Sequence, residues 1–197
     1  MTYQILLALA GFAFVTSVTP GPNNLMLLAS GANYGFRRSI PHMAGISGGF
    51  CLMVALVGVG LMGLFDAWPP ARTVLAVLSV IYMLWLAWKV AHAGGPDEAK
   101  AGGRPMTFVE AALFQWVNPK GWAMALAAIT LYAPGREVFA VLVVAIVFAA
   151  VNLPSVSLWA WLGQEMRRFL DAPARLRAFN WTMAALLVAS LYPILDL

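Results

Sequence analysis

Apolar residues run along this chain in long blocks, separated by short clusters of Gly, Pro and charged side chains. The blocks cover roughly residues 4–32, 41–64, 70–91, 107–132, 137–163 and 177–195. Each is near or beyond the ~20 residues that a helix needs to cross ~30 Å of hydrocarbon, and the pattern predicts six transmembrane helices. One linker, Ala93 to Met106, is clearly polar: it holds four Gly, two Pro, and Asp97, Glu98, Lys100 and Arg104. Gly and Pro there break helix, and the charges keep it in water. It divides a single transmembrane domain (1–197) into a first three-span repeat, about residues 1–92, and a second, about 107–197.

Composition agrees. The chain is 62% hydrophobic and 10% charged, where a soluble domain is about 45–50% apolar and about 25% charged. An ordinary cytosolic enzyme is excluded. The single cysteine, Cys51, rules out an internal disulfide, a CxxC redox pair and a thiolate zinc site. The first positive side chain is Arg37, so the charged start of a cleaved signal peptide is missing, and the first apolar segment is expected to stay.

Charge then sets the orientation. The loops after spans one, three and five carry nine positive residues: Arg37, Arg38, Lys89, Lys100, Arg104, Arg167, Arg168, Arg175 and Arg177. The opposite side has Arg72 and Arg136, and Lys120 falls inside a span. The positive-inside rule places the three basic loops in the cytoplasm and both termini outside. The pI of about 9.6 is thus a topology signal, and no nucleic-acid partner is expected. Trp68, Trp88 and Trp161 near span ends fit interfacial belts, while Trp116 and Trp122 sit deeper.

Three spans per half give the halves opposite topology, and short echoes of a repeat are present. Val18-Thr19-Pro20 in span one matches Val117-Asn118-Pro119 in span four, and Phe65 to Arg72, opening span three, resembles Leu170 to Arg175 before span six, at offsets of 99 and about 103 residues. The expected architecture is an all-α integral membrane protein of two inverted three-helix repeats.

Spans one and four carry the chemistry. Span one is ~29 residues, ~43 Å as an unbroken helix, with Thr19-Pro20-Gly21-Pro22-Asn23-Asn24 near its centre. Two prolines and a glycine in three positions cannot continue a helix. A half-helix ending near Val18 and another starting at Pro20 are expected, with Thr19 as N-cap. In span four, Thr107-Phe108-Val109-Glu110 has capping-box spacing, and about 16 Å further on come Asn118, Pro119 and Lys120. Both breaks fall near the bilayer midplane.

In an inverted pair, the second half-helices point their N-termini at each other, each with unpaired N–H groups and roughly half a positive charge. Lys120 adds a full charge, and a lysine this deep costs ~2.5–3.5 kcal/mol to insert, which marks it as functional. That end favours a carboxylate. The prolines also free the carbonyls of Thr16, Val18 and Gln115, which must line a polar cavity or hold a cation such as an ammonium. The two ends together suit a zwitterionic amino acid.

Other residues read more plainly. Glu110 is the capping-box acid. Asn152-Leu153-Pro154-Ser155 is expected to break span five and mirrors Ser47-Gly48-Gly49 in span two; cavity lining and helix packing both fit. Gly45 and Gly49 form a small-xxx-small face that packs helices, and glycine-rich faces permit a homodimer. His42 and His92 sit at loop ends and read as solvated. No metal-ligand cluster and no cofactor motif stands out.

The TPGPN-type motif of Thr19 to Asn23, Asn33-Tyr34-Gly35 before Arg37-Arg38, Gly45 through Gly49, and Asn118-Pro119-Lys120 together resemble the LysE/RhtB exporters, over the whole chain. The resemblance implies a bacterial inner-membrane exporter of amino acids or close derivatives, driven by a proton gradient. The family's motif residues map onto Thr19, Pro20, Gly21, Pro22, Asn23, Asn118, Pro119 and Lys120 as substrate-binding candidates. As the one deep titratable group, Lys120 is also the candidate for alternate substrate binding and proton release. An inorganic or metal-ion exporter of similar architecture is the alternative, but it wants buried carboxylates or histidines that the spans hardly offer. An intramembrane thiol-disulfide carrier would need more than one cysteine.

Overall fold

Where proline and glycine interrupt the apolar blocks, the helices stop. The computed structural model describes residues 2–93 and 103–192. In chain order these residues form α1 (Tyr3–Val18), α2 (Pro22–Tyr34), α3 (Ile40–Leu56), α4 (Met62–Ala67), α5 (Pro70–Ala91), α6 (Phe108–Phe114), α7 (Pro119–Tyr132), α8 (Val138–Met166) and α9 (Pro173–Ala189). Single-turn 3-10 segments, Arg37–Ser39 and Gln115–Val117, lead into α3 and out of α6. A π turn at Val57–Leu61 ends α3, where Gly60 takes φ 108°, a conformation that favours glycine.

The segments Arg37–Leu61, Pro70–Ala91 and Val138–Phe169 are each long and apolar enough to cross a membrane, and α1 with α2, bent by 56° at the break, makes a fourth candidate. The helices α7 and α9, with 14 and 17 residues, fall short of that length. Residues 193–197, the end of the sixth apolar block, lie outside the described residues, as do Asp97, Glu98 and Lys100 of the linker.

Two expectations about breaks need correction. The second half-helix of span one starts at Pro22, two residues later than expected, and its N-cap is Gly21 in an extended conformation (φ −173°). Thr19 caps nothing there; its hydroxyl donates back to the Val15 carbonyl of α1. Span five, in turn, is not broken: α8 runs through Pro154 without interruption. One proline removes one hydrogen bond, which neighbouring groups in a membrane helix can absorb; two prolines flanking an extended glycine cannot be absorbed.

Because lipid is as apolar as the side chains, packing here depends on close van der Waals approach, and small residues permit it. The helix α8 is central, against α1, α2 and α3. At its contact with α2, a Cβ on Gly31 would collide with the Ala160 carbonyl, and one on Gly163 with the Leu28 carbonyl. Gly49 plays the same part between α3 and α6, where a Cβ would stand 2.5 Å from Ala112 Cα, and Gly45 meets the Phe108 backbone. That face packs helices, as its spacing predicts. Leu9, Phe50, Val144 and Phe148 fill one side of the interior, and Met83, Phe114, Phe179 and Leu187 the other.

The start of α6 carries the expected capping box: the Glu110 amide donates to Thr107 Oγ1 at 3.2 Å and the Thr107 amide to Glu110 Oε2 at 2.7 Å. Arg104 adds a two-pronged ion pair to the same carboxylate, 2.7 Å to each oxygen. Its hydrogen bonds to Glu110 raise the guanidinium pKa further above its usual value.

Candidate functional site

The breaks after α1 and α6 meet. Asn23, in the first turn of α2, and Gln115, just before the second break, exchange amide hydrogen bonds: Asn23 Nδ2 donates to Gln115 Oε1 at 2.9 Å, and Gln115 Nε2 donates to Asn23 Oδ1 at 3.2 Å. Lys120, in the first turn of α7, reaches across and donates from Nζ to the carbonyl of Thr19 at 2.6 Å and to that of Pro20 at 3.4 Å. Gly21 makes room for this crossing, since a Cβ there would stand 2.6 Å from Lys120 Cδ.

Of the sequence candidates, Thr19 and Pro20 therefore contribute backbone carbonyls, Gly21 space, and Asn23 and Lys120 side chains. Pro22 and Pro119 open α2 and α7 in the N-terminal position where a missing N–H costs nothing. Asn118 is the positional N-cap of α7, yet its side chain makes no capping bond, and its buried Oδ1 has no hydrogen-bond partner. The α2 N-terminus has no side-chain cap either. Gly21, Asn23, Asn118, Lys120 and Gly121 line one polar pocket of about 20 Å³. A space that small holds a water-sized occupant.

Carbonyls around the breaks find donors within the protein. Asn24 Nδ2 donates to the carbonyls of Ser17 and Thr19, both at 2.8 Å, and Trp159 Nε1 to that of Val18 at 3.1 Å. The carbonyl of Gln115 accepts the Asn118 amide at 3.2 Å. The lysine expected to wait for a carboxylate instead sits on the carbonyl side of the site. Asn24, Gln115 and Trp159 are the residues that sequence reasoning did not select; their signal is a polar atom carried into an apolar span. Asn152 and Ser47, whose sequence context fits both cavity lining and helix packing, meet each other: Asn152 donates to Ser17 Oγ at 3.2 Å and accepts from Ser47 Oγ at 2.9 Å.

His42 is a further correction. It is 2% exposed, and neither ring nitrogen has a hydrogen-bond partner. The 3-10 turn after Arg37 carries the chain inward, so that Ser39, 0% exposed, bonds Ser30 at 2.7 Å. His42 lines a second pocket of about 70 Å³ together with Ser30, Asn33, Lys89 and Arg104. His92 is exposed, as expected. Among the described residues no three of His, Cys, Asp and Glu gather where they could hold a metal ion.

Long apolar helices, with two proline-marked breaks meeting beside one pocket, fit a membrane transporter. The family model for the LysE type translocators matches residues 14–190, and the chain belongs to that family. It is 30% identical over 190 residues, 95% of each chain, to a cysteine/O-acetylserine efflux protein of Klebsiella pneumoniae. It is 29% identical over 190 residues, 95% of this chain and 96% of the relative, to a protein of that name from Escherichia coli. One from Salmonella paratyphi A is 36% identical over 120 residues, 61% of each chain. No solved structure matches significantly.

Proposed function

We propose that this protein exports small amino acids or close derivatives, of the cysteine and O-acetylserine kind named for its relatives, from the cytoplasm across the bacterial inner membrane. The observation that carries this reading is the meeting of the two helix breaks: Lys120 of the second holds the Thr19 and Pro20 carbonyls of the first, beside a small pocket lined by Gly21, Asn23, Asn118 and Lys120 at the uncapped start of α7. Acceptors and donors so placed suit a molecule carrying both an ammonium and a carboxylate. The substrate carboxylate engages the N-termini of α2 and α7 and Lys120, while Asn23 and the carbonyls of Thr19 and Pro20 hold the rest.

The chain is read as six spans in two inverted repeats, with both termini outside. Support comes from contacts between equivalent positions. Gly21 meets Lys120, Ser47 meets Asn152, and α5 packs on α9, each pair about 100 residues apart, as expected near a pseudo-two-fold axis. A pocket of about 20 Å³ is too small for an amino acid, so loading requires the helices around it to part, in keeping with alternating access.

The test is efflux of labelled cysteine, O-acetylserine and a panel of other amino acids from cells producing wild type or Lys120→Ala at matched membrane levels. Export by wild type that falls at least about tenfold in the variant, the scale of one lost charged hydrogen bond, is expected. Equal export by both overturns the role given to Lys120. Failure of wild type to move any amino acid overturns the substrate class.

A further inference from the structure

The site just described already holds an ammonium group: the one on Lys120. We infer that the carbonyls of Thr19 and Pro20 form a subsite specific for a primary ammonium, and that substrate loads by displacing the Lys120 ammonium from it. This inference rests on the amino-acid reading above and deepens it.

Three features of the structure support it. The Nζ of Lys120 donates to two carbonyls in the stretch between α1 and α2, outside either helix, at 2.6 and 3.4 Å. The path to them is kept open by Gly21, the residue that follows Pro20 as Lys120 follows Pro119. The neighbouring acceptors are already taken: Val18 by Trp159, and Ser17 by Asn24, which also shares Thr19. Of the carbonyls at the first break, those of Thr19 and Pro20 are the ones the lysine holds, while Asn118 Oδ1 across the site has no partner. Among the described residues its recorded hydrogen bonds go to backbone carbonyls, whose dipoles hold the charge. Such a subsite favours an N–H-bearing cation, since an amide nitrogen has no charge and a single N–H, enough for one weaker neutral hydrogen bond. Once displaced, the lysine ammonium lies within a side chain's swing of the incoming carboxylate. One positive charge then replaces another on the carbonyls, and the released one neutralises the substrate's negative end.

Specificity is a consequence of this exchange. A substrate acylated on its side chain keeps its ammonium and displaces Lys120; one acylated on nitrogen does not. O-acetylserine and N-acetylserine contain the same atoms and differ in this respect, which makes them the natural pair of probes. In proteoliposomes containing wild-type protein, exchange of labelled O-acetylserine is measured at mildly acidic pH, where the ester stays in place. Unlabelled O-acetylserine should compete at least about tenfold more strongly than N-acetylserine, the scale of losing charged hydrogen bonds in a built site. Equal competition overturns the inference.

A second measurement does not depend on transport. Lys120→Ala removes the atoms of a propylammonium ion, and that ion should raise the thermal midpoint of the purified variant by about 2 °C or more at millimolar concentration. Tetramethylammonium, a cation without N–H, and propanol, the same chain without the charge, should not, and none of the three should stabilise wild type in the same way. Equal shifts with propylammonium and either control, or with variant and wild type, overturn the subsite. If wild type moves no amino acid while propylammonium still stabilises the variant selectively, the subsite stands and the exporter reading falls. A variant too unstable to purify leaves the decision to the competition assay on wild type.

Discussion

At the level of single residues, the site depends on one side chain crossing a gap that another residue leaves open. Gly21 has an extended φ of −173°, which any residue adopts, so replacing it tests space and leaves backbone conformation aside. A Cβ there would stand 2.6 Å from Lys120 Cδ. Gly21→Ala should therefore displace the lysine and lower efflux about tenfold, within the ~1–3 kcal/mol scale of overpacking. Its thermal midpoint should move by less than about 4 °C. An unchanged efflux rate would show that the crossing is dispensable. The breaks at Pro20 to Pro22 and at Pro119 were legible because proline deletes a donor whatever surrounds it. Which groups would serve the orphaned carbonyls was not legible, since that depends on where Asn24, Trp159 and Lys120 place their ends in three dimensions. His42 misled for a related reason: two arginines mark a loop by charge, but charge does not reveal that the next turn folds inward.

Helices in this molecule are held by the absence of side chains as much as by their presence. Where α2 and α8 cross, Gly31 and Gly163 each bring a backbone carbonyl of the other helix into the space of a Cβ. Backbone cannot step aside as a flexible side chain can. Gly163→Ala should separate the pair and cost about 3 kcal/mol or more, at the upper end of overpacking, seen as loss of monodisperse protein on fluorescence-detected size exclusion. At Gly48 the same change meets only the ring of Phe108, 3.2 Å away, and a normal elution profile is expected. If both variants behaved alike, backbone proximity would not be the cause. The small-xxx-small spacing of Gly45 and Gly49 announced its packing role in the sequence because residues four apart share a helix face. Gly31 and Gly163 lie far apart in the chain, and their partnership appears only once α2 and α8 are side by side. Pro154 shows the opposite error: it reads as a break, yet α8 absorbs it.

For the molecule as a whole, the apolar blocks and the distribution of arginine and lysine were the readable part. Length alone supports up to four spans among the described residues; the breaks shorten the helices, and α9 has 17 residues. The orientation is testable by labelling. In a Cys51→Ala background, which removes the one native cysteine, Arg38→Cys and Gly135→Cys place thiols in loops assigned to opposite sides. A membrane-impermeant maleimide should label Gly135→Cys in intact cells, and Arg38→Cys only after permeabilisation. The reverse result would invert the topology, and labelling of both in intact cells would contradict the span count.

The two proline breaks look alike in sequence, but the residue after the proline differs between them: a glycine at 21 and a lysine at 120, in contact with each other. Two lysines at these positions would force like charges together, and two glycines would take the lysine's donor from the Pro20 carbonyl and leave that of Thr19 with Asn24 alone. The pocket works only if its two contributors differ. On the two-repeat reading proposed above, the architecture breaks its own symmetry at its centre, which would give a translocation pathway through this site a built-in polarity at the point where symmetry would otherwise be most exact.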